Sequence, residues 1–295
     1  MSSQPTTTQP ARIHGRQGRM QQAASLRGFG GGRPAVHTMV RAAMVQAHEA
    51  ALLLSVAATA PVRLFRGDTE PADSASSQVN PHVPRTRPVL LVHGFGGAKS
   101  SWSLVAQSLT AQGLTVAAMS YAPVGNSVEQ LADNLVAEVQ RTLSRTGADK
   151  VHLVGHSLGG VIIAQAILDS RLAGRVDTVV TLGSPFGGSP WAGALPLVEI
   201  VRALRRGSPL LRRLAATPLP DGVRWLSVTA ALDIVVPGMR SVPFHPEVET
   251  VTIDGVGHLG MLLSRRVIAF ISAALRAHDS DTAAEPAMRL LPMAS

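Results

Sequence analysis

The run Gly155-His156-Ser157-Leu158-Gly159-Gly160 sets a serine among small residues, directly after the apolar stretch Val151-His152-Leu153-Val154 and before a helical pattern starting at Val161. A nucleophile on a sharp strand-to-helix turn needs this arrangement. Small residues let the backbone approach closely, the turn lifts the serine oxygen to the edge of the sheet, and the helix N-terminus favours negative charge developing there. A serine hydroxyl alone is a poor nucleophile. It requires a histidine base, and the base requires an acid that fixes its tautomer and stabilises the imidazolium. Such a set supports acyl transfer.

Where a serine elbow leads, acid and base follow in the order Ser, Asp, His. His258, in Gly255-Val256-Gly257-His258-Leu259, comes just past an apolar run ending at Ile253, at the carboxyl edge of a strand. His245, between Phe244 and Pro246, falls in a turn before that run and reads as a surface or packing residue. Asp233 follows the run Trp225 to Thr229 and so emerges at the same edge as Ser157, whereas Asp177 starts its run and would emerge on the opposite side. Asp254 shares the loop of His258 and stands as a second candidate acid, its other role being to cap that loop.

The tetrahedral intermediate needs two backbone N–H donors, each worth about 3 kcal/mol of transition-state stabilisation. Leu158, after the nucleophile, offers one. The loop His93-Gly94-Phe95-Gly96-Gly97 offers the other, with Phe95 the first choice and Gly96 the second. His93 and His156 each precede a tight glycine or elbow position, where bracing a loop by hydrogen bonds is the expected role.

Short apolar runs alternating with longer helical patterns from Val89 onward predict an α/β class, with a mostly parallel sheet flanked by helices. Strands are expected at 89–92, 114–120, 151–154, 176–182, 224–229 and 248–253, with helices near 101–112, 128–146, 158–169 and 262–277. Chemistry in such a sheet gathers at the carboxyl ends of its strands. Residues 189–222 interrupt the alternation. There Leu197, Val198, Val201 and Leu204 oppose Arg202, Arg205 and Arg206, and Ser208-Pro209 looks like a cap and first turn. This helical insert reads equally as a lid or as an ordinary packed helical pair. Around the catalytic stretch 89–278 the sequence suggests a basic, disordered tail at 1–34, a helix and linker at 35–88, and a C-terminal tail at 279–295. In the N-terminal helix Val36, Val40, Ala43, Ala47 and Leu54 share a face, expected to pack against the domain or lie on a membrane.

The 295 residues carry a net charge of +8, 45% hydrophobic content and no cysteine. Disulfides, thiolate nucleophiles and Cys-based metal sites are thereby excluded. A positive field favours anionic surfaces. Nucleic acid is not expected as a partner, because the arginines are dispersed among alanine and leucine without an aromatic stacking platform. Peripheral contact with an anionic membrane is compatible with them. No apolar run reaches the roughly 20 residues that span a bilayer as a helix. The first apolar run, 50–60, lies behind a long polar lead, which reads against a signal peptide and toward a cytoplasmic or membrane-peripheral protein; a start at Met39 would restore a signal-like order.

His93 to Gly97 followed by Ser101-Trp102, the elbow Gly155 to Gly160, Thr181-Leu182-Gly183-Ser184-Pro185 with Gly187-Gly188-Ser189, and the Asp233 and His258 loops together resemble bacterial lipases of the α/β-hydrolase superfamily. The resemblance covers about 89–275. It implies an α/β-hydrolase fold with a helical lid over the acyl site at 189–222, and cleavage of small-molecule or lipid esters. Phe186, Leu195 and Leu197 are the expected acyl-chain contacts. Many such lipases carry a secretion signal and several bind calcium near the histidine loop. Neither is implied here, since no clear signal and no carboxylate cluster stand in the sequence, and no cofactor is expected. Two other readings share these residues: an acyltransferase using the same triad, and a non-catalytic lipid-binding protein. The second gives no reason for an intact Ser, Asp and His set.

Overall fold

The computed structural model describes residues 39–40, 42–52, 54, 87–193 and 198–288, with side chains to 276. The expected tail at 1–34, most of the 35–88 linker, and Leu195 and Leu197 lie outside the described residues.

Six strands form one sheet: β1 (Val89–Val92), β2 (Val116–Met119), β3 (Val151–His156), β4 (Val176–Leu182), β5 (Arg224–Ala230) and β6 (Glu249–Ile253). All are parallel, in the order β2-β1-β3-β4-β5-β6. Every residue of β1, β3 and β4 is buried. Strands covered on both faces become continuous apolar runs, which is why their positions were legible in the sequence.

Helical backbone runs through 42–52 (α1). It is followed by α2 (Ser103–Thr110), α3 (Val128–Thr146), α4 (Leu158–Ala166), α5 (Glu199–Ala203), α6 (Pro209–Ala216) and α7 (Arg265–Met288). The start of α3 is set by a reciprocal cap. Ser127 Oγ accepts from Gln130 N at 3.2 Å, and Gln130 Oε1 accepts from Ser127 N at 2.7 Å, satisfying amides that have no partner inside the helix. Leu90 and Val92 of β1 join a core shared with α3 and α4, while Val89 and Leu91 join a second core shared with α2 and α7. Alternating side chains along one strand thus seal both faces.

β1 lies between β2 and β3, so the chain leaves β1 in one direction and returns past it in the other. Strand order reverses between β1 and β3, and in such sheets ligands bind outside the carboxyl ends of the strands at that point. The glycine loop at 94–97 and Ser157 occupy those two ends.

Two expectations are corrected. α7 continues to Met288, so the C-terminal tail does not begin at 279. Of the two uses expected for the apolar positions around α1, packing against the domain is not what the structure shows: Val40 and Leu54, which flank the helix, are exposed, as are Ala43 and Ala47, while Glu49 is buried. The physical reason lies in the loops beneath α1, which present backbone donors and acceptors that only polar side chains can satisfy.

Candidate active site

Ser157 joins β3 to α4 with φ 53° and ψ −121°, and it is the non-glycine residue with positive φ among those described. Such a conformation costs on the order of 1–3 kcal/mol and persists where the surroundings over-determine it. Here Ser157 N donates to Leu182 O at 2.9 Å and Gly160 N donates to Ser157 O at 3.1 Å. Beneath the turn, the residues of α4 from Leu158 to Ala164 are buried. Close approach is also required at Gly159, where a Cβ would run into the Val92 carbonyl oxygen at the end of β1.

His258 and Asp233 meet at a distance from each other in the sequence. His258 Nδ1 lies 2.8 Å from Asp233 Oδ2, with both residues buried. The other carboxylate oxygen, Oδ1, accepts from Val235 N at 2.8 Å and Val236 N at 2.7 Å, which fixes the orientation of the acid. Gly183, at the end of β4, backs the pair: a Cβ there would lie 3.0 Å from Asp233 Oδ2 and 3.1 Å from His258 Nδ1. The second candidate acid, Asp254, is exposed, and its backbone carbonyl accepts from Arg266. Asp177 is buried at the opposite edge of the sheet, beside Arg87 and Lys150. His245 Nε2 donates to Leu214 O at 3.1 Å and so buttresses α6.

His156 connects the Ser157 turn to His258. Its ring lies 4.7 Å from that of His258, and its Nε2 donates to the His258 carbonyl oxygen at 3.0 Å. Burial, reinforced by the neighbouring imidazole of His258, holds His156 well below the usual histidine range.

The glycine loop is pressed against Ser157. A Cβ at Gly94 would stand 3.0 Å from Ser157 Cβ, and Gly97 N closes the turn on Gly94 O at 3.1 Å. His93 holds this turn from behind. Its ring stacks on Tyr121 at 4.1 Å, its Nδ1 donates to Gly94 O at 2.8 Å, and its carbonyl accepts from Tyr121 Oη at 2.5 Å. Burial raises the Tyr121 pKa, which keeps the phenol a donor. Phe95 is half-buried beside the α3–α4 core, and Leu158 is the first residue of α4.

Phe186 is buried edge-on to Trp225, with ring centroids 5.5 Å apart. A cavity of about 20 Å³ lies between Phe186, Trp225, Leu211, Leu214 and Phe244, with room for a water molecule. In the insert, Ser208 Oγ caps α6 by accepting from Leu211 N at 3.2 Å. Val201 and Leu204 are buried, while Arg202, Arg205 and Arg206 are exposed. Among the described residues no group of three or more His, Asp or Glu side chains is placed to hold a metal ion, and no helix is long and apolar enough to cross a membrane.

The residues that sequence reasoning missed are Gln46 and Glu49 of α1. Gln46 Nε2 donates to Leu232 O at 2.9 Å, and Glu49 accepts from Leu259 N and Gly260 N. Their only sequence signal was two polar residues within an alanine-rich helical stretch.

Residues 87–207 match the family model of the alpha/beta hydrolase fold. The chain has the α/β-hydrolase fold, and part of its sequence is similar to triacylglycerol lipases. It is 38% identical over 103 residues to the dihydrolipoyllysine-residue acetyltransferase component of an acetoin cleaving system from Cupriavidus necator, covering 34% of this chain and 26% of that one. It is 29% identical over 143 residues to a triacylglycerol lipase from Burkholderia plantarii, covering 46% and 39%. The chain thus spans well under half the length of these curated relatives. In fold it is similar to the mature form of the lipase BlEst2 from Bacillus licheniformis, with a TM-score of 0.59 and 17% identity over 70% of this chain and 96% of that one.

Proposed function

We propose that this chain is a serine hydrolase that cleaves carboxylic esters carrying acyl chains. The observation that carries this reading is the buried contact between His258 Nδ1 and Asp233 Oδ2 at 2.8 Å, set beside the strained Ser157 turn. Ser157 Oγ attacks the ester carbonyl while His258 takes its proton, and Asp233 holds the imidazole in the tautomer that leaves Nε2 free to accept. The amides of Phe95 and Leu158 receive the oxyanion. His258 returns the proton to the leaving alcohol, leaving an acyl group on Ser157. Water, deprotonated by His258, then releases the acid and restores the serine. Phe186, Leu195 and Leu197 are assigned to the acyl side of the site, and no metal or organic cofactor enters any step.

The test is hydrolysis of p-nitrophenyl esters from acetyl to palmitoyl, by the wild type and by Ser157→Ala, above and below the point of substrate aggregation. Turnover abolished in the variant supports the reading, and a rise on aggregated long chains supports a lidded lipase. A wild type inert toward every ester sinks simple hydrolysis.

An acyltransferase is the second reading, favoured by the similarity to the acetyltransferase component from Cupriavidus necator. The acyl-enzyme is the same, but an alcohol or amine resolves it in place of water. Added alcohol would then divert product from free acid to new ester.

A further inference from the structure

Glu49 of α1 is 1% exposed, and both of its carboxylate oxygens are engaged by the backbone that follows His258. Oε1 accepts from Leu259 N at 2.5 Å and Oε2 accepts from Gly260 N at 3.1 Å. These amides open the 3-10 turn Leu259–Leu262, whose N-cap is His258 itself, and amides at such a position have no partner inside their own turn. One turn earlier on α1, Gln46 holds the carbonyl of Leu232, the residue directly before Asp233. Leu232 N in turn donates to Val256 O at 3.1 Å. The acid loop, the base loop and α1 therefore form one hydrogen-bonded unit.

Two features set this contact apart from ordinary packing. A carboxylate removed from water costs several kcal/mol unless charge-assisted hydrogen bonds replace its hydration, so its use here demands a role that an apolar residue would not fill. The second feature is Gly257. A Cβ at that position would lie 2.5 Å from Oε2, 2.7 Å from Cδ and 3.0 Å from Cγ of Glu49. All three obstructing atoms belong to Glu49, so the residue before the base lacks a side chain where the carboxylate enters.

We infer that Glu49 is a positioning residue: its carboxylate fixes the backbone at 257–260 so that the His258 imidazole is held on Asp233 beside the elbow, while Gln46 holds the acid loop in the same frame. The inference rests on the ester-hydrolase reading for its catalytic consequence, but the clamp itself can be measured without ester turnover.

The experiment uses the full chain and the variants Glu49→Ala, Glu49→Gln, Gly257→Ala and the Glu49→Ala/Gly257→Ala double. Each is assayed well below its thermal midpoint. A misplacement of about 1 Å at a catalytic group costs on the order of 100-fold, so Glu49→Ala is expected to lower kcat by about 10- to 100-fold with little change in KM. Glu49→Gln, which keeps one acceptor oxygen, falls between. In parallel, hydrogen exchange at the Leu259 and Gly260 amides speeds up in Glu49→Ala, and the low-field proton resonance of the His258–Asp233 hydrogen bond broadens. Gly257→Ala lowers kcat in the wild-type background and does much less in Glu49→Ala, where the obstructing carboxylate is gone; such non-additivity marks a direct contact. Unchanged kcat and unchanged exchange in folded Glu49→Ala would overturn the inference, as would strictly additive effects of the two substitutions. Should Glu49→Ala fail to fold, Glu49→Gln and Gly257→Ala carry the same comparison. A wild type inert toward esters whose two amides are still released by Glu49→Ala would remove the hydrolase reading and uphold the clamp.

Discussion

Nε2 of His156 donates to the carbonyl oxygen of His258 at 3.0 Å, so the residue before Ser157 holds the backbone of His258. A carbonyl can only accept, which places the proton of His156 on Nε2 and leaves Nδ1 bare. Protonating Nδ1 would put a positive charge in a buried position beside the His258 ring, 4.7 Å away. Burial and that same neighbour hold His156 well below the usual histidine range, keeping it neutral.

This neutrality predicts how stability depends on pH. The unfolded chain takes up a proton on His156 near the ordinary value of 6.5, while the folded chain refuses it until far lower pH. The penalty is therefore absent well above pH 6.5. It grows as pH falls through that value, by up to about 1.4 kcal/mol per pH unit, until the folded pKa is reached. His156→Gln cannot take a proton in either state and removes this contribution. Urea unfolding near pH 8 and near pH 5 should show a smaller acid loss for the variant, since the other titrating groups cancel in the comparison. Equal losses would mean that His156 is not held neutral.

Asp233→Asn tests the tautomer. The side-chain oxygen of the asparagine keeps the Val235 and Val236 amides that Oδ1 now holds at 2.8 and 2.7 Å, so its NH₂ group points at His258 Nδ1. Nδ1 must then accept, the imidazole proton moves to Nε2, and the base can no longer take the serine proton. By analogy with the general behaviour of such triads, kcat falls by about 10⁴-fold, with little change in the thermal midpoint. Asp254→Asn, at an exposed position in the same loop as the base, leaves kcat near the wild-type value. The reverse pattern would transfer the role of acid to Asp254.

Gly159→Ala separates packing from chemistry at the elbow. The added Cβ meets the main chain of β1 at the Val92 carbonyl and lies 2.7 Å from His93 O. Main-chain atoms cannot rotate aside, so β1 and α4 must move apart, which costs about 1–3 kcal/mol or more. Gly193→Ala adds a Cβ with nothing within 4 Å and should leave stability unchanged. Denaturant midpoints of the two variants measure the contrast. Equal midpoints would show that the close approach at Gly159 is relieved at little cost.

These residues also mark the limit of what the sequence reveals. The strand-to-helix turn at Ser157 was legible because it is written in six consecutive residues, and the sheet because strands covered on both faces become unbroken apolar runs. That Asp233 and His258 would meet was legible from their place after strands, the rule that brings loops to one edge. Glu49 was not. It bonds to backbone 210 and 211 positions away, and the demand it satisfies, two amides opening a turn at His258, exists only once the loop has folded. The apolar spacing of Val40, Ala43, Ala47 and Leu54 did not mark the face that α1 packs on the domain, because periodicity carries no information about unsatisfied backbone groups elsewhere. The continuation of α7 was missed for a different reason. The polar run from Asp279 reads as a helix end, yet the alanines beyond it favour helix.

Trp191 gives the insert its own reporter. It is 57% exposed, whereas Trp102 and Trp225 are buried, and these are the chain's three tryptophans. Trp191 Nε1 donates to Ile234 O at 2.8 Å and Ser189 Oγ donates to Val235 O at 2.6 Å, so the root of the insert rests on the loop that holds Asp233. Ile234, also partly exposed, extends the apolar surface beside the acid. A long acyl chain approaching the elbow past this root would bury that surface, because removing apolar area from water drives its association. In Ser157→Ala, which retains the site without turnover, acrylamide should quench one accessible tryptophan in the free protein, and a dispersed long-chain methyl ester should shield it and shift its emission to the blue. Methyl acetate, too short to reach the insert, should leave quenching unchanged, and Trp191→Phe should remove the quenchable component. Equal quenching with long and short esters would place the acyl path away from the insert root and withdraw Phe186 and its neighbours from the substrate side of the site.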